Sequence, residues 1–201
     1  MQKLVWDSVG NLNSQEYTCG YCGSSIASEK GWYGHRQGYN NIFATIYICH
    51  KCGRPTLIDE TENGKQTPGV VFGNTVSDIP EKTVGDLYSE ARKCTGAGSY
   101  TASVLCCRKL LMHVAVSKGA KVGESFVSYV EYLANKNYIP PDAKDWVDHI
   151  RKKSNEANHE ISIMGKDDAE ELISFIEMLL KVIYEFPAAI KKKLTPPSNP
   201  T

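Results

Sequence analysis

The chain has 201 residues, of which 23 are basic and 23 are acidic, so its formal net charge is zero. A neutral chain is not a strongly basic, histone-like nucleic-acid binder, although a local basic face is still compatible with it. Apolar residues make up 41% and charged residues 23% of the chain, as in ordinary globular proteins, which excludes disorder of the whole chain. The length suits one domain or a small pair of domains.

No segment of the sequence predicts insertion into a membrane. The first ten residues contain no apolar stretch of signal-peptide length, and the most apolar segment, 173–186, is interrupted by three charged residues. The number of cysteines, seven, is odd, which disfavours a fully paired disulfide framework. We therefore expect a cytoplasmic protein without a membrane partner.

The composition of the chain changes near residue 83. Before it, the sequence is rich in Gly, Asn, Thr, Ser and aromatic residues, and the run NIFATIYI at 41–48 predicts a strand bounded by turn formers. We place an N-terminal domain over residues 1–65. The following stretch contains Gly, Pro, Asn and charged residues, and predicts a linker over 66–82 with one short strand at 69–72.

Two C-x-x-C-G motifs in the N-terminal domain predict a metal site formed by Cys19, Cys22, Cys49 and Cys52. Four thiolates at this spacing suit tetrahedral zinc, and the glycine after each second cysteine lets backbone amides turn toward the sulfurs. The turn-rich segment GWYGHRQGYNN and the strand after it complete the pattern of a zinc ribbon. A redox dithiol pair or a disulfide is the alternative, but thioredoxin-like chemistry needs a βαβ setting that is missing here. Because four sulfurs leave no coordination position open, we predict one structural Zn²⁺.

The surface of the predicted ribbon is a candidate for nucleic-acid contact. Five aromatic residues between positions 32 and 47 lie close in sequence to the cationic Arg36, Lys51 and Arg54. This mixture of stacking and cationic groups is typical of nucleic-acid-binding surfaces. The same aromatic residues could instead form the small core of the ribbon.

The second half of the chain shows helical periodicity almost to its end. It predicts five helices, at about 83–94, 99–118, 124–136, 141–159 and 166–186, with Pro187 ending the last one. Short loops between such helices favour an antiparallel bundle, which we place at 83–193, followed by an unstructured tail at 194–201. The predicted fold class is α+β, with a small four-cysteine zinc ribbon followed by an all-α bundle of about five helices.

A polar cluster in the predicted fourth helix is the second candidate site. Its members are Arg151, Asn155 and His159, beside the basic pair Lys152 and Lys153. Near the end of a helix these groups form a plausible phosphate-handling cluster that contacts nucleic acid. The alternative is a buried polar network that caps the helix and ties it to the second helix.

The order of segments in this half resembles a known family. The segments are LYSEARKC, VLCCRKLLMHVA, IPPDAKDWVDHIRKKSNEANHE and DDAEELISFIEMLLKVIYEFP. They resemble the bacterial family catalogued as domain of unknown function 4145 over roughly residues 80–190, with Ser154 in place of the usual glycine. Members of that family occur in restriction and defence contexts and also have a zinc ribbon in front of the helical domain.

The family is similar to HEPN (higher eukaryotes and prokaryotes nucleotide-binding) helical domains, many of which are metal-independent ribonucleases that act as dimers. The resemblance implies a HEPN-like bundle, a homodimer, and a defence protein that binds nucleic acid, a nucleotide or a protein partner. As an alternative it implies an endoribonuclease that uses Arg151, Asn155 and His159. Arg151 and His159 are separated by seven residues, one more than in the HEPN pattern. Arg108 and His113 satisfy that spacing, but a helix would place them about 140° apart.

Overall fold

The computed structural model describes residues 6–140, 146 and 163–194. These residues form two compact units. We call the first the sheet unit, which consists of the described residues up to Val71 together with Thr95–Gly98. The second, the helical unit, consists of Phe72–Cys94 and the described residues from Ser99 onward. The protein is therefore of the α+β class, as predicted.

The sheet unit contains one antiparallel sheet of five strands, in the order β1-β2-β3-β4-β5. Each strand pairs with the next strand in the chain, so the sheet is a simple meander. The strands are β1 (Gly10–Thr18), β2 (Ser25–His35), β3 (Ile42–Ile48), β4 (Pro55–Asp59) and β5 (Lys65–Thr67). The strand predicted at 41–48 is thus confirmed as β3.

Two details of the predicted sheet are wrong. Residues 69–72 are not a strand, and the short strand of this region is β5 at Lys65–Thr67. The strand ends before Pro68, because proline has no N–H to donate to a ladder of hydrogen bonds. The segment Gly31–His35, which the sequence places in a turn-rich stretch, forms the second half of β2 and pairs with β3.

The helical unit contains four helices among the described residues, rather than the five predicted for the whole bundle. They are α1 (Lys82–Gly96), α2 (Tyr100–Ser117), α3 (Phe126–Asn135) and a rod, α4, made of the segments Lys166–Leu180, Lys181–Glu185 and Phe186–Leu194. The helix predicted at about 141–159 lies outside the described residues, except for Trp146, which is helical. The predicted tail at 194–201 lies outside them from residue 195 onward.

Pro187 does not end α4, which corrects the prediction. The middle segment, Lys181–Glu185, is a π-helical turn, and the α-helix resumes at Phe186 and continues to Leu194. The amide of Phe186 donates to the carbonyl of Lys181, five residues earlier. A π-helical turn shifts the hydrogen-bond pattern, so that a proline at the next position can be accommodated without breaking the rod.

The core of the helical unit lies between α2 and the neighbouring helices. The apolar face of the first segment of α4 is buried, and consists of Ala169, Leu172, Ile173, Ile176, Leu179 and Leu180. Trp146 packs edge-on against the buried Phe175, with ring centroids 5.2 Å apart. The largest side chains of this core with under 2% of their surface exposed are Phe175, Leu110, Leu111, Leu133, Ile173, Ile176, Leu179 and Leu180.

Candidate metal centre

The two cysteine motifs are the turns of two hairpins at the same end of the sheet. One motif connects β1 to β2, where Thr18 pairs with Ser25, and the other connects β3 to β4, where Ile48 pairs with Pro55. Since β1 and β3 both run antiparallel to β2, their final residues lie at one end of the sheet. The meander therefore brings together two motifs that are far apart in the sequence.

The two turns have the same backbone hydrogen bonds. In the first, the amide of Cys19 donates to the carbonyl of Ser24 at 3.0 Å, and the amide of Gly23 donates to the carbonyl of Cys19 at 2.8 Å. In the second, the corresponding bonds join Cys49 to Arg54 at 2.9 Å and Gly53 to Cys49 at 2.7 Å. This repetition explains why the sequence has the same C-x-x-C-G pattern twice.

The glycine of each motif is required by the backbone of its turn. Gly23 has φ 67° and Gly53 has φ 70°, in the left-handed region that glycine adopts most easily. The backbone amides of Tyr21 and Cys22 form hydrogen bonds with the sulfur of Cys19. The predicted role of these glycines, which is to turn amides toward the sulfurs, agrees with this geometry.

The four sulfur atoms lie close together, and two of their separations are those of a tetrahedral metal site. All four lie within 4.8 Å of one another. The Sγ atoms of Cys19 and Cys52 are 3.8 Å apart, and those of Cys22 and Cys49 are also 3.8 Å apart. A regular tetrahedron with metal–sulfur bonds of about 2.3 Å has an edge of about 3.8 Å. The cluster could therefore hold one metal ion.

The same distances argue against a disulfide, and the fold argues against a redox dithiol. All four cysteines are free thiols, and 3.8 Å is far longer than the S–S bond of a disulfide, which is about 2.05 Å. The setting is an antiparallel sheet rather than the βαβ unit of a thioredoxin-like protein. The cluster therefore has the form of a four-sulfur ligand set.

The thiols of the cluster differ in acidity because they are close together and unequally exposed. Burial raises the pKa of Cys52 to about 12, and burial also raises the pKa of Cys19. For Cys22, burial is the largest single influence and raises the pKa, but hydrogen bonds from Ser24 and the neighbouring thiols together lower it to about 6. A bound divalent cation would favour all four thiolates and release protons as it binds.

Several features that support the cluster carry no clear signal in the sequence. Cys19 and Cys49 are fully buried beside Ile26, and the Trp6 indole N–H donates to the carbonyl of Gly53 at 2.7 Å. A Cβ atom on Gly20 would lie 2.4 Å from the carbonyl oxygen of Pro68, so only glycine fits this position of the first turn. Such close approach between residues far apart in sequence cannot be read from the motif itself.

The predicted nucleic-acid contacts of the sheet unit do not lie in one patch. Arg36 lies beside the β2–β3 connection, whereas Lys51 and Arg54 lie in the second cysteine turn at the other end of β3. Six residue steps of β3, at about 3.3 Å each, separate the two ends by about 20 Å. Each end has its own pairing of arginine with an aromatic ring. The Arg36 guanidinium lies 4.4 Å from the Phe43 ring centroid, and the Arg54 guanidinium lies 5.3 Å from that of Tyr21.

The residues of the second predicted cluster, Arg151, Asn155, His159, Lys152 and Lys153, all lie outside the described residues.

The other Arg–His pair of the sequence, Arg108 and His113, contacts separate partners. The Arg108 guanidinium lies 4.5 Å from the ring centroid of Phe126, and His113 Nε2 lies 2.9 Å from a carboxylate oxygen of Glu81. These contacts agree with the helix geometry that places the two side chains on different faces.

Comparison with known proteins shows a match to a family model. The family model described as Domain of unknown function (DUF4145) matches residues 89–195, which is more than half of the chain. No curated protein and no solved structure matches the chain. Within the described residues, none of the helices is both long and apolar enough to cross a bilayer.

Proposed function

The chain belongs to the family described as Domain of unknown function (DUF4145), and from that premise we propose a nucleic-acid-binding protein built from a zinc ribbon and a HEPN-like helical unit. In this proposal the protein binds its partner without chemistry and acts as a homodimer in a bacterial defence or restriction-associated system. The resemblance of the helical segments to that family supports the HEPN-like fold, the dimer and the setting. The charge of the surface of the sheet unit supports nucleic-acid binding.

Zinc is the metal that best fits the cysteine cluster. Four thiolates and sulfur separations of 3.8 Å match the ligand type and the size of a tetrahedral zinc site. Cys19, Cys22, Cys49 and Cys52 would hold the ion. Because all four positions are filled by sulfur, the ion would cross-link the two hairpins and would leave no position for a catalytic water.

The single observation that supports nucleic-acid binding is the charge of the surface beside the cluster. The segments that flank the two cysteine turns, 17–28 and 42–58, contain no acidic residue. They contain the exposed Lys51 and the half-buried Arg54, whose guanidinium lies over the exposed ring of Tyr21. A cation stacked on an aromatic ring suits both a phosphate and a nucleobase.

The test is a binding titration of the full-length protein with fluorescently labelled RNA and DNA at several salt concentrations. Lys51→Gln together with Arg54→Gln should weaken binding at least tenfold at low salt. It should also reduce the slope of log K against log salt by about 0.7–0.9 for each phosphate that the protein no longer neutralises. Lys65→Gln is the matched control, because Lys65 pairs with Glu62 at the opposite end of the sheet. Its affinity should match that of the wild type.

Metal analysis of each variant keeps the result interpretable. The double variant should retain one zinc per chain, so that weaker binding cannot be attributed to a missing ion. Unchanged affinity in the double variant, or protein that contains no zinc after purification without chelators, would contradict the proposal.

An endoribonuclease is the second candidate, and the order of Arg151, Asn155 and His159 in the sequence favours it. In that case His159 would act as general base or acid and Arg151 would stabilise the charged phosphorane. The same RNA, incubated with the protein in EDTA at concentrations where the dimer forms, separates the two functions. Cleavage that disappears in His159→Ala would establish the enzyme.

A further inference from the structure

The connection between β2 and β3, together with the first residues of β3, presents an arginine and two aromatic rings at the end of the sheet opposite to the cysteines. We call Arg36, Tyr39 and Phe43 the tip cluster. The Arg36 guanidinium carbon lies 4.4 Å from the centroid of the Phe43 ring. The Tyr39 ring meets the same ring edge-on, with centroids 6.2 Å apart and planes at 85°. The guanidinium and the Tyr39 ring therefore both contact Phe43, and the three side chains form one group.

The outer members of the tip cluster are strongly exposed. Tyr39 has 64% of its surface exposed, and Arg36 is exposed as well, whereas Phe43 is half-buried. In the part of the chain that the structure describes, no carboxylate pairs with the Arg36 guanidinium. The Tyr39 ring and the Arg36 guanidinium are therefore accessible to a ligand.

The backbone holds this group in place. The amide of Tyr39 donates to the carbonyl of Arg36 at 3.0 Å, and His35 Nδ1 lies 3.1 Å from the carbonyl oxygen of Asn41. Gly38, between them, has φ 83° and allows the tight turn. The rings and the guanidinium are thus arranged before a ligand arrives, which lowers the entropy cost of binding.

The charge around the tip cluster does not favour a general attraction of anions. The β4–β5 connection lies at the same end of the sheet and carries Asp59, Glu60 and Glu62. Lys65 pairs with Glu62, and Thr61 donates to Asp59, but this end of the sheet remains more acidic than the cysteine end. A partner that binds there must gain its affinity from contacts with the faces of rings.

We infer that the tip cluster is a stacking site for the unpaired bases of a single-stranded nucleic acid. This inference rests on the proposed function and specifies its substrate. The bases of a duplex are already stacked and paired, so their faces are hidden from protein side chains. Unpaired bases can stack on the exposed faces of Tyr39 and of the Arg36 guanidinium, which Phe43 supports from the other side.

The distance between the two ends of the sheet sets the length of strand that can contact both. Strand β3, which runs between the two ends, is itself about 20 Å long, and Lys51 and Arg54 lie beyond its second end. At the stacked spacing of about 3.4 Å per nucleotide, a strand that contacts both ends needs at least about six nucleotides. The phosphates of such a strand can reach the cationic turns while its bases occupy the tip cluster.

The test compares single-stranded and duplex oligonucleotides of the same sequence, as RNA and as DNA, by fluorescence anisotropy with the full-length protein. Single strands of ten nucleotides should bind at least tenfold more tightly than the duplex and than strands of three nucleotides. Tyr39→Ala should weaken binding of the single strand about fivefold or more, whereas Tyr39→Phe should stay within twofold of the wild type. Arg36→Lys should weaken binding although it keeps the charge, because lysine lacks the planar group that stacks.

The salt dependence separates this inference from the proposed function. Tyr39→Ala should leave the slope of log K against log salt unchanged, since a stacked base releases no counterions. If the Lys51 and Arg54 double variant loses binding but Tyr39→Ala does not, or if the duplex binds as tightly as the single strand, the inference is wrong and the proposed function stands. If no oligonucleotide binds, both are wrong.

Discussion

The two units of this protein are stabilised in different ways. The buried cluster of the sheet unit consists of Cys19, Ile26 and Cys49, so that two of its three residues are members of the candidate metal site. The helical unit has a continuous apolar core with fully buried side chains such as Phe175 and Leu179. The small sheet buries too little apolar surface to fold on that basis alone, and small domains of this kind usually need a metal or disulfides.

If the cysteine cluster binds its ion, the chain combines two independent ways of stabilising a small fold. In the sheet unit, a bound ion would replace the apolar core by cross-linking two hairpins. In the helical unit, apolar residues that recur with the helical period of 3.6 residues form the core themselves. Damage to one unit should therefore leave the other folded.

Replacement of Cys49 by Ser should have the largest effect. It removes a fully buried ligand, and because metal binding in such small domains supplies the folding free energy, the sheet unit should lose its metal and unfold. The helical unit should keep its helical signal in far-UV circular dichroism. The amide resonances of β1–β5 should lose their chemical-shift dispersion in a heteronuclear NMR spectrum.

Cys94→Ser is the matched control for that variant, because Cys94 lies in α1, outside the four-sulfur cluster. It should keep both the metal and the strand resonances. A Cys49→Ser protein whose strand resonances remain dispersed without bound metal would show that the sheet does not depend on the ion.

Replacement of Leu179 by Ala should destabilise the helical unit by about 3 kcal/mol, because it opens a cavity in a core position with no exposed surface. The matched control is Leu105→Ala on α2, where the same chemical change occurs at a side chain that is 61% exposed. Its effect on the free energy of unfolding should stay within about 0.5 kcal/mol.

Denaturant unfolding, followed by helical circular dichroism, measures both variants, and the strand resonances should be unaffected in each. Equal losses of stability for Leu179→Ala and Leu105→Ala would mean that α4 is not packed as the structure has it.

The sequence predicted those features of the fold that are determined by patterns of neighbouring residues. The spacing of the two C-x-x-C-G motifs predicted four cysteines in one cluster, because each motif closes a hairpin by itself. The apolar period of the second half predicted the ends of α1, α2 and α3 to within about two residues, with Gly98 and Gly119 just beyond the ends of α1 and α2. These are signals that a few neighbouring residues carry on their own.

The sequence could not predict features that depend on distant partners. Strand β1, GNLNSQEYT, is mostly exposed and shows no apolar alternation. Besides its pairing with β2, it is held by two tyrosines that are distant in sequence: the amide of Asn13 donates to the Tyr33 hydroxyl at 2.7 Å, and the Tyr47 hydroxyl donates to the Asn13 carbonyl at 3.0 Å. Similarly, Pro187 is a reliable end signal for an α-helix, but the preceding π-helical turn makes it tolerable inside α4.

The smallest effect on stability is expected where polar side chains hold the segment before α1 in the helical unit. Glu177 on α4 accepts hydrogen bonds from the amide of Asn74 at 2.7 Å and from its side-chain nitrogen at 3.0 Å, and it pairs with Lys181. Arg92 donates to the carbonyls of Phe72 and Gly73 beside it, so the segment before α1 is fixed by side chains rather than by a strand or helix of its own.

Glu177→Gln should therefore destabilise the helical unit by about 1–2 kcal/mol at neutral pH, because it removes hydrogen bonds to a charged group. Burial raises the pKa of Glu177, but the contacts with Lys181 and Asn74 outweigh it, and the pKa lies below its ordinary value of 4.5. A carboxylate with a lowered pKa in the folded state stabilises the protein fully above 4.5 and loses that contribution as the pH falls through the lowered value. The difference in stability between the wild type and Glu177→Gln should accordingly disappear in acid.

Glu170→Gln is the control variant, because it alters a carboxylate 3.7 Å from Lys166 on the same helix. It should cost under about 0.5 kcal/mol of stability at neutral pH. If the difference between the wild type and Glu177→Gln persists unchanged in acid, the glutamate acts through packing and not through its charge, and the helical unit then relies on apolar contacts throughout.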